Sequence, residues 1–341
     1  MNLLVTGGAG FIGCNVLRYI INEPVLNRVV NLDCLTYAGH LANIAEFESK
    51  SHYTFERVDL RDSSLVRDVF QRHEITHVLH LAAESHVDRS IRAPADFITT
   101  NIQGTFNLLE TCREFWNLPG AECEGRFHHV STDEVYGSLG PTGHFTESSP
   151  YAPSSPYSAS KASADMLVRA YSRTYGLDIV ITNCSNNYGP YQFPEKLVPM
   201  VIEKVLKRKP VPVYGDGLHV RNWLFVRDHA AALWEVLLHG RSGETYNIGG
   251  DNECPNIRIV ELICDLIDEL RPALGGDSRR FITFVQDRPG HDRRYRIDST
   301  KIREELGWKP AHSFEAGIRK TVQWYLENEA WTETVLREAN N

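Results

Sequence analysis

The chain has 341 residues, of which 42% are hydrophobic and 23% charged, so it can bury a sizeable core and extensive disorder is excluded. The formal net charge of −8 argues against a large nucleic-acid-binding surface, although it is compatible with a local positive pocket for phosphates. The seven cysteines are scattered without a C-x-x-C pair, which excludes a disulfide framework and a zinc-ligand pattern and favours a reducing compartment. The first residues do not form a signal peptide, and no apolar run reaches the roughly 20 residues of a membrane helix. We therefore expect a cytoplasmic protein that binds neither membrane nor nucleic acid.

Short β-rich runs alternate with longer helical patterns up to about residue 190. This rhythm predicts a Rossmann-type doubly wound parallel sheet with helices on both faces. The predicted strands are Asn2–Thr6, Arg28–Leu32, Tyr53–Val58, His77–Leu81, Arg126–Ser131 and Asp178–Thr182, and the predicted helices are Phe11–Asn22, Ser63–His73, Asp96–Trp116 and Pro156–Tyr175.

A glycine-rich loop, residues 7–13, follows the first predicted strand and opens the first helix with the spacing G-x-x-G-x-x-G. Glycines at such a turn let backbone N–H groups approach a pyrophosphate at the helix N-terminus. Asp33 ends the next strand, 20 residues beyond Gly13, where a carboxylate accepts hydrogen bonds from ribose hydroxyls and repels a 2′-phosphate. No arginine follows it immediately, so the pattern predicts NAD rather than NADP. Asp59, at the end of the third strand, is placed to meet the adenine.

Two further patterns carry chemistry. Tyr157 and Lys161 form Y-x-x-x-K on a predicted helix, so they share one face, and we expect the ammonium to lower the pKa of the phenol. The preceding strand runs into Thr132-Asp133-Glu134. A simple dehydrogenase needs the hydroxyl and the tyrosine but has no use for two adjacent carboxyl groups. Such a pair suggests an acid and a base acting on a sugar, one taking a proton from carbon and the other protonating a departing hydroxyl.

Beyond about Gly189 the rhythm weakens, and the predicted helices Leu197–Lys207, Asp228–Leu238 and Ile257–Leu270 are separated by loops rich in Pro and Gly. We expect a smaller mixed α/β lobe closing over the carboxyl edge of the sheet. The predicted division is an NAD-binding Rossmann domain over 1–190, with a return segment at 220–250, and a substrate-binding lobe mainly over 191–341, interleaved with the first.

The glycine loop, Thr132 and the Tyr157–Lys161 pair together resemble the extended branch of the short-chain dehydrogenase/reductase family. Longer motifs resemble those of the nucleotide-sugar dehydratases in that branch, the dTDP-glucose 4,6-dehydratases, and the resemblance runs from Met1 to about Trp331. These motifs occupy residues 81–90, 131–137, 153–161, 183–190 and 287–295.

The resemblance implies a hydro-lyase with tightly bound, recycled NAD⁺ that converts dTDP-glucose to dTDP-4-keto-6-deoxyglucose. C4 is oxidised, water is lost across C5 and C6, and the hydride returns to C6. Tyr157 takes the proton of the 4-hydroxyl, Thr132 hydrogen-bonds that oxygen, and Lys161 holds the phenolate and the nicotinamide ribose. Glu134 removes the C5 hydrogen, and protonated Asp133 donates to the leaving 6-hydroxyl.

The resemblance also implies binding roles. Arg221 and Arg288 supply planar forks suited to a diphosphate. The cofactor-binding residues are Gly7, Gly10, Phe11, Ile12, Gly13, Asp33, Cys34, Leu35, Thr36, Asp59, Leu60, Leu81, Ala82, Ala83, Ser85, Thr100, Tyr157, Lys161 and Asn187. The substrate-binding residues are Ser85, Thr132, Asp133, Glu134, Asn186, Lys196, Leu197, Pro212, Val213, Tyr214, Arg221, Asn256, Asp287, Arg288, Pro289, Gly290 and His291.

Two positions depart from the family pattern. Cys34 stands where bacterial members usually have lysine, and we do not interpret it as reactive; the segment 138–145 is shorter than in well-known members. No metal site is expected, because the spacings of the histidines match no compact ligand set. Members of the family are dimers built on two long helices, here Asp96–Trp116 and Tyr157–Tyr175, so we expect a homodimer.

Three alternatives stay open. A UDP-glucose 4,6-dehydratase differs by one methyl group on the base, worth only about 1–3 kcal/mol of discrimination. A nucleotide-sugar 4-epimerase or UDP-glucuronate decarboxylase shares oxidation at C4 but does not need Asp133 with Glu134. A catalytically inactive NAD-binding sensor typically lacks the tyrosine or the lysine, and both are present here.

Overall fold

The computed structural model describes residues 1–116 and 125–339; Cys123, one of the scattered cysteines, lies outside these ranges. The strands are β1 (Asn2–Thr6), β2 (Arg28–Leu32), β3 (Tyr53–Glu56), β4 (His77–His80), β5 (Arg126–Thr132), β6 (Asp178–Cys184), β7 (Asn186–Tyr188), β8 (Val211–Tyr214), β9 (Val220–Phe225), β10 (Thr245–Ile248), β11 (Glu253–Pro255) and β12 (Ile282–Val285). The α-helices are α1 (Phe11–Ile20), α2 (Ser63–His73), α3 (Val87–Arg92), α4 (Pro94–Phe97), α5 (Thr105–Trp116), α6 (Pro156–Tyr175), α7 (Leu197–Leu206), α8 (Val226–His239), α9 (Asn256–Leu270), α10 (Thr300–Leu306), α11 (Phe314–Glu327) and α12 (Glu329–Glu338).

Seven parallel strands form the central sheet in the order β10-β6-β5-β4-β1-β2-β3. Most of the strands are buried along nearly their whole length because helices cover both faces, as α/β crossover connections require. The strand order reverses between β1 and β4, and an open α/β sheet binds its ligand in the crevice at such a point. The predicted Rossmann-type fold is confirmed.

The chain returns to this sheet after leaving it. β10 pairs with β6, while α8 packs against α1. One apolar core joins residues of β1 and α1, such as Leu3 and Leu17, to Leu233 on α8 and Tyr246 on β10. One edge strand of the sheet, β10, therefore comes from a segment that lies far along the sequence.

Another apolar core holds together the second lobe, which consists of β7, β8, β9, β11, β12, α7, α9 and α11. Strands β11, β9 and β7 form one small sheet, and β12 with β8 forms another. Helices α7, α9 and α11 pack on these strands around Ile202, Ile263 and Ile318, which are buried. These small sheets stand beyond the carboxyl ends of β5 and β6, since β7 follows β6 almost directly.

The predicted helix Asp96–Trp116 is helical throughout but not uniform. It comprises α4, a π-helical stretch over Ile98–Gly104, and α5. A π segment widens one turn of a helix and often marks a functional site. Here it brings Asn101 to the loop after β4.

The other elements match the prediction to within a few residues. β5 extends one residue further than predicted and ends at Thr132, so the first catalytic candidate lies within a strand. β6 extends two residues further and ends at Cys184. Among the described residues, no helix combines the length and the apolar character needed to cross a bilayer.

Candidate active site

The glycine loop lies at the carboxyl end of β1, at the point where the strand order reverses. Gly7 has a φ of +73°, and a Cβ there would lie 2.8 Å from the Cα of Ala82, on the loop after β4. A Cβ on Gly13 would lie 2.2 Å from the carbonyl oxygen of Gly7, so α1 packs directly on the turn. Gly10 is the N-cap of α1 and offers no side chain to its free N–H groups. This bare helix N-terminus fits the pyrophosphate of NAD.

Asp33 follows β2 and is buried. Its Oδ2 accepts a hydrogen bond from the backbone N–H of Ala9 at 3.0 Å, and its Oδ1 accepts one from Leu35 at 2.8 Å. Burial raises the pKa of Asp33, while the two backbone hydrogen bonds oppose the rise. Each carboxylate oxygen can accept more than one hydrogen bond, so Asp33 can still accept hydrogen bonds from the hydroxyl groups of a ribose.

The residues near Asp33 fit a binding site for the adenosine of NAD, and none of them is chemically reactive. Burial raises the pKa of Cys34 to about 11, which disfavours the thiolate and agrees with an unreactive thiol. Asp59 follows β3, and its Oδ2 pairs with the Arg61 guanidinium at 2.6 Å, which lowers the pKa of Asp59. Leu60 beside it is buried.

The loop from Leu81 to Ser85 leaves β4 on the other side of the crevice. The Thr6 hydroxyl accepts from the N–H of Ala82 at 3.2 Å. Asn101 holds Glu84 through both backbone groups, accepting from its N–H at 2.8 Å and donating to its carbonyl at 3.0 Å. Thr100, expected near the nicotinamide half, precedes Asn101 in the π segment. The side-chain amide of Asn101 thus holds this loop in place.

Thr132, Asp133 and Glu134 come together where β5 runs into a short 3₁₀ turn over Asp133–Tyr136. The Thr132 hydroxyl caps this turn by accepting from the N–H of Glu134 at 3.3 Å. Burial and the charge of Glu134 raise the pKa of Asp133 well above its ordinary value. Burial also raises the pKa of Glu134, but the cations of Arg288, Lys196 and Arg221 oppose that rise. Asp133 therefore retains its proton more readily than Glu134, as an acid beside a base must.

Helix α6 presents Tyr157 and Lys161 to this turn. The helix begins with a capping box, in which the Ser155 hydroxyl accepts from the N–H of Ser158 at 3.1 Å and the Ser158 hydroxyl accepts from that of Ser155 at 3.0 Å. Pro156 occupies the first turn, where its missing N–H costs nothing. Tyr157 is consequently fixed one residue into the helix, and both it and Lys161 are buried.

The expected effect of Lys161 on Tyr157 is wrong for this structure. Burial raises the pKa of Tyr157 well above its ordinary value, the charge of Glu134 adds to the rise, and a hydrogen bond with Thr132 opposes it. The Lys161 ammonium instead donates to the carbonyl oxygen of Val130 at 2.9 Å. The cost of burying a phenolate beside Glu134 and Asp133 outweighs the hydrogen bond from Thr132.

Three cations face the carboxyl pair from the second lobe. Arg221 on β9 donates to the carbonyl oxygens of Val220 and Asp292, each at 2.9 Å, and lies over the Tyr295 ring. Lys196 donates to the carbonyl oxygen of Ser85 at 2.9 Å.

Arg288 leaves donors free for a substrate. Its guanidinium lies 3.3 Å from the Asp88 carboxylate, and its Nε is buried without a hydrogen-bond partner among the described residues. The side-chain oxygens of Asn186 and Asn187 are likewise unpaired within the described ranges. These groups can bind a diphosphate and a sugar.

The predicted nucleotide-binding residues are gathered by the β8–β12 pair. Pro212, Val213 and Tyr214 lie on β8, and the loop 287–291 follows β12. Asn256 begins α9 and Leu197 begins α7, both packed on these strands. A Cβ on Gly290 would lie 3.3 Å from the carbonyl oxygen of Ser154, so the loop reaches the start of α6. Pro289 lies in the same loop.

Asp287 joins two histidines at this end of the site. Its carboxylate lies 2.6 Å from His291 Nδ1 and 3.1 Å from His219 Nε2. The two rings stack with centroids 3.7 Å apart and planes at 15°. Nearly parallel rings do not direct their lone pairs at one point, so this trio suits hydrogen bonding rather than metal coordination.

The segment 138–145 is hydrogen-bonded to the extended stretch that follows the loop 287–291. Leu139 and Phe145 donate backbone hydrogen bonds to the carbonyls of Arg294 and Arg296, at 3.0 and 2.9 Å. The Arg294 guanidinium donates to the carbonyls of Gly140 and Gly143. These hydrogen bonds join the segment 138–145 to the chain that follows the second lobe's loop 287–291.

Several residues of the site have no counterpart among the sequence predictions. Asp165 lies two helical turns beyond Tyr157 on the same stripe of α6, a spacing that could have revealed it. His129 and Asn101 gave no such signal, because their partners come from distant parts of the chain.

Comparison with known proteins agrees with this geometry. A family model described as GDP-mannose 4,6 dehydratase matches residues 4–321. The dTDP-glucose 4,6-dehydratase of Neisseria meningitidis serogroup B is 58% identical over 340 residues, which cover 98% of this chain and 96% of that protein. The crystal structure of a Streptomyces venezuelae dTDP-glucose 4,6-dehydratase with NAD bound superposes with a TM-score of 0.90 at 45% identity, covering 98% of this chain and 100% of that one.

A UDP-glucose 4-epimerase shares the architecture at lower identity. The NAD complex of the Thermus thermophilus enzyme has a TM-score of 0.85 at 31% identity, covering 96% of this chain and 100% of that one. The backbone alone therefore does not separate the two chemistries. The match over residues 4–321 and the 58% identity show that this chain belongs to the GDP-mannose 4,6 dehydratase family.

Proposed function

We propose that this protein is a hydro-lyase that converts dTDP-glucose to dTDP-4-keto-6-deoxyglucose with NAD⁺ as a recycled cofactor. The observation that carries the proposal is the carboxyl pair Asp133 and Glu134 at the end of β5, beside Thr132 and buried Tyr157. Burial raises the pKa of both carboxyl groups, but cations oppose the rise at Glu134 most strongly. An acid and a base are thereby placed side by side, which elimination of water requires.

The first step removes the proton of the sugar 4-hydroxyl. Tyr157 has to be a phenolate to accept this proton, and the hydrogen bond with Thr132 is the interaction that favours its ionised form against burial. Thr132 also hydrogen-bonds the sugar oxygen. The redox chemistry is supplied by NAD⁺ when it is bound, since the C4 hydride leaves to it and returns at C6. Gly7, Gly10, Phe11, Ile12 and Gly13 would hold the pyrophosphate, Asp33 to Thr36 with Asp59 and Leu60 the adenosine, and Leu81 to Ala83, Ser85, Thr100, Lys161 and Asn187 the nicotinamide half.

The elimination follows from the 4-ketone. A ketone acidifies the neighbouring C5 hydrogen, and Glu134 removes it as a carboxylate. Burial and the charge of Glu134 raise the pKa of Asp133 well above its ordinary value, so Asp133 is the group suited to donate a proton to the departing 6-hydroxyl. Glu134 then exchanges the proton that it took for one from solvent and delivers it to C5, and Asp133 regains its proton from solvent.

The second lobe holds the nucleotide end of the substrate. Arg221 and Arg288 bind the diphosphate with Asn186 and Lys196, and the base lies among Leu197, Pro212 to Tyr214, Asn256 and the loop Asp287–His291. Charge-assisted bonds of this kind are worth about 1.5–3 kcal/mol each. A bound substrate would therefore bridge the second lobe and the end of β5.

The test is a product analysis in heavy water. The purified protein is incubated with dTDP-glucose, and separately with UDP-glucose, without added NAD⁺, and the products are read by NMR. We expect a 4-keto-6-deoxy sugar with deuterium at C5 and the original C4 hydrogen at C6. The faster substrate identifies the base. A 4-epimer instead of the keto sugar, or no reaction even with NAD⁺ supplied, would contradict the roles given to Asp133 and Glu134.

We also propose a homodimer formed by the two long helical segments. The π segment, α5 and α6 pack side by side, and each exposes an apolar side chain, Ile98 at 49%, Phe106 at 38% and Met166 at 51%. An exposed apolar face on adjoining helices suits a second copy. The double substitution Phe106→Glu and Met166→Glu is expected to halve the mass seen by light scattering. Val25→Glu, at an exposed apolar position away from these helices, is the control and should leave the mass unchanged.

A cytoplasmic setting is the third part of the proposal. The six cysteines in the described part of the chain are all free, and Cys14, Cys112, Cys184 and Cys264 are buried. A reducing compartment keeps such thiols unpaired.

A further inference from the structure

A buried cluster of charged and titratable groups lies between helix α6 and the neighbouring strand β5. Tyr157, Lys161 and Asp165 follow one another at intervals of four on α6. Lys161 and Asp165 are 4% and 0% exposed, and His129, on the neighbouring strand β5, is 0% exposed. A buried carboxylate is costly to hold unless a charge or hydrogen bonds compensate it.

The contacts within the cluster run from the lysine to the aspartate. The Lys161 ammonium lies 3.4 Å from His129 Nε2, to which it can donate. The same nitrogen lies 3.1 Å from Asp165 Oδ1, although no well-directed N–H reaches that oxygen. Asp165 Oδ2 accepts from the Ser131 and Tyr151 hydroxyls, each at 2.9 Å. One carboxylate oxygen is thus satisfied by hydroxyls, and the other faces the histidine.

This arrangement keeps His129 neutral. Burial and the charge of Lys161 lower the pKa of His129 well below its ordinary value. The neutral imidazole therefore separates the two charges without adding one. Asp165 carries the negative charge of the cluster, because burial raises its pKa only to about 6.

We propose that Asp165 is a positioning residue, the buried counter-ion that keeps Lys161 protonated and directed at the carboxyl end of β5. The inference rests on the proposed function, in which Lys161 holds the nicotinamide ribose. Asp165 acts through Lys161 and His129.

The other groups around Lys161 do not replace this charge. His80 on β4 and His129 on β5 are buried and neutral, because burial lowers the pKa of each well below its ordinary value. Burial raises the pKa of Cys184 on β6 to about 12, so the thiol is neutral. Tyr151, in the loop before α6, keeps its proton, since burial raises its pKa.

Arg169, one turn beyond Asp165 on α6, is a second cation, which competes for the same carboxylate. Burial lowers the pKa of Lys161, and the charge of Asp165 is the largest influence that opposes it. Without that carboxylate the lysine would lose its proton at a lower pH.

The test replaces the charge while keeping the shape. Turnover of dTDP-glucose is measured against pH in the wild type and in Asp165→Asn. We expect the alkaline limb of the kcat profile to move down by about one to three pH units, as removal of an opposite charge at this range predicts. Tyr151→Phe removes one hydroxyl from Asp165 but leaves its charge, so its alkaline limb should stay in place. Asp165→Glu, which restores the charge, should bring the limb back toward the wild type.

A binding readout separates this role from a general structural one. The affinity of nucleotide-free protein for NAD⁺ is measured by calorimetry near neutral pH and in the alkaline range. Asp165→Asn is expected to lose about tenfold in affinity on going to alkaline pH, the worth of one charge-assisted hydrogen bond, while the wild type changes little. An unchanged limb together with an unchanged affinity would overturn the inference. A wild type without turnover would instead contradict the proposed function, and the calorimetry would still decide this one.

A second variant tests the inference if the buried substitution Asp165→Asn prevents folding. If Asp165→Asn does not give folded protein, Lys161→Met combined with Asp165→Asn removes both charges of the pair. A counter-ion role predicts that the double variant folds, as judged by thermal unfolding and circular dichroism. A double variant that remains unfolded would overturn the inference, because Asp165 would then serve the fold through its hydroxyl partners.

Discussion

The two ends of the proposed active site are built in different ways. At the cofactor end, the crevice between β1 and β4 is shaped by backbone, with Gly7 and Gly13 so close to neighbouring chain that a Cβ would meet backbone atoms at 2.8 and 2.2 Å. At the nucleotide-sugar end, Arg221 and Arg288 provide charge, and backbone carbonyls or carboxylates from other segments position them.

This difference has a physical consequence. A site made of backbone is specified by where side chains are missing, so a short motif encodes it and one added methyl group damages it. A site made of charged side chains depends on partners from distant segments, so each substitution removes one interaction and leaves the others. The carboxyl pair at the end of β5 lies where the two ends meet, and the proposed mechanism assigns the acid and the base to it.

The largest expected effect is at that meeting point. Glu134→Gln keeps the size of the side chain but removes the base, so turnover should fall by about 10²–10⁴-fold. The readout is product formation together with deuterium uptake at C5. Glu269→Gln, at an exposed carboxylate paired with Arg319 in the second lobe, is the control and should be fully active. Wild-type C5 exchange in Glu134→Gln would show that another group is the base.

At the cofactor end, Gly7→Ala should abolish tight NAD⁺ binding. The added methyl group meets the backbone of Ala82, and alanine at positive φ is strained by about 1–2 kcal/mol before that clash is counted. We expect a loss of affinity of at least about tenfold by calorimetry, with a lower unfolding temperature. Gly140→Ala is the matched control, because no heavy atom lies within 4 Å of the added Cβ. Equal affinity in the two variants would mean that the glycine loop does not hold the pyrophosphate.

At the nucleotide-sugar end, Arg288→Lys should weaken substrate binding while NAD⁺ binding is preserved. Lysine keeps the charge but loses the planar fork, so we expect KM to rise about tenfold, the equivalent of one charge-assisted hydrogen bond. Arg293→Lys is the control, since Arg293 pairs with Asp216 in an exposed salt bridge of the same region. A change in NAD⁺ affinity rather than in KM would place Arg288 at the wrong end of the site.

The smallest expected effect is on the pH dependence of the free energy of unfolding. His229 on α8 is fully buried, and burial lowers its pKa to about 3 from an ordinary value of 6.5. The unfolded chain therefore takes up a proton below about pH 6.5 that the folded protein does not, so stability falls as the pH drops from 6.5 toward 3.

His229→Leu should reduce this slope by up to about 1.4 kcal/mol per pH unit, measured by urea unfolding at a series of pH values. His239, near the end of the same helix with a side chain 63% exposed, provides the control His239→Leu, which should keep the wild-type slope. A slope unaffected by His229→Leu would show that this histidine is charged in the folded protein.

Much of the fold was predictable because its signals are local. Asn2–Thr6 and Arg28–Leu32 were predicted with their observed ends, since apolar runs bounded by turn residues indicate buried strands. The roles assigned to Thr132, Asp133, Glu134, Tyr157 and Lys161 stay predictions, but the structure brings these residues to one place. The division of the chain into two domains also stays a prediction.

What could not be predicted depends on distant contacts. The π segment at Ile98–Gly104 has no proline or glycine pattern that announces it, and it exists where Asn101 holds the loop after β4. The pKa of Tyr157 was predicted in the wrong direction, because the spacing of Tyr157 and Lys161 says nothing of the burial or of the nearby carboxyl groups.

The sequence by itself determined the βαβ order, the position of the glycine loop and the presence of a hydroxyl, two carboxyl groups, a tyrosine and a lysine suited to one chemistry. These are properties of short segments, whose residue types and periodicity follow from steric and hydrophobic rules. Only the tertiary structure decided which charges meet: that Lys161 turns toward Val130 and His129, that Asp165 stands behind them, and that Arg288 faces Glu134. Burial and distance set the energy of a charge, and neither is written in the sequence around it.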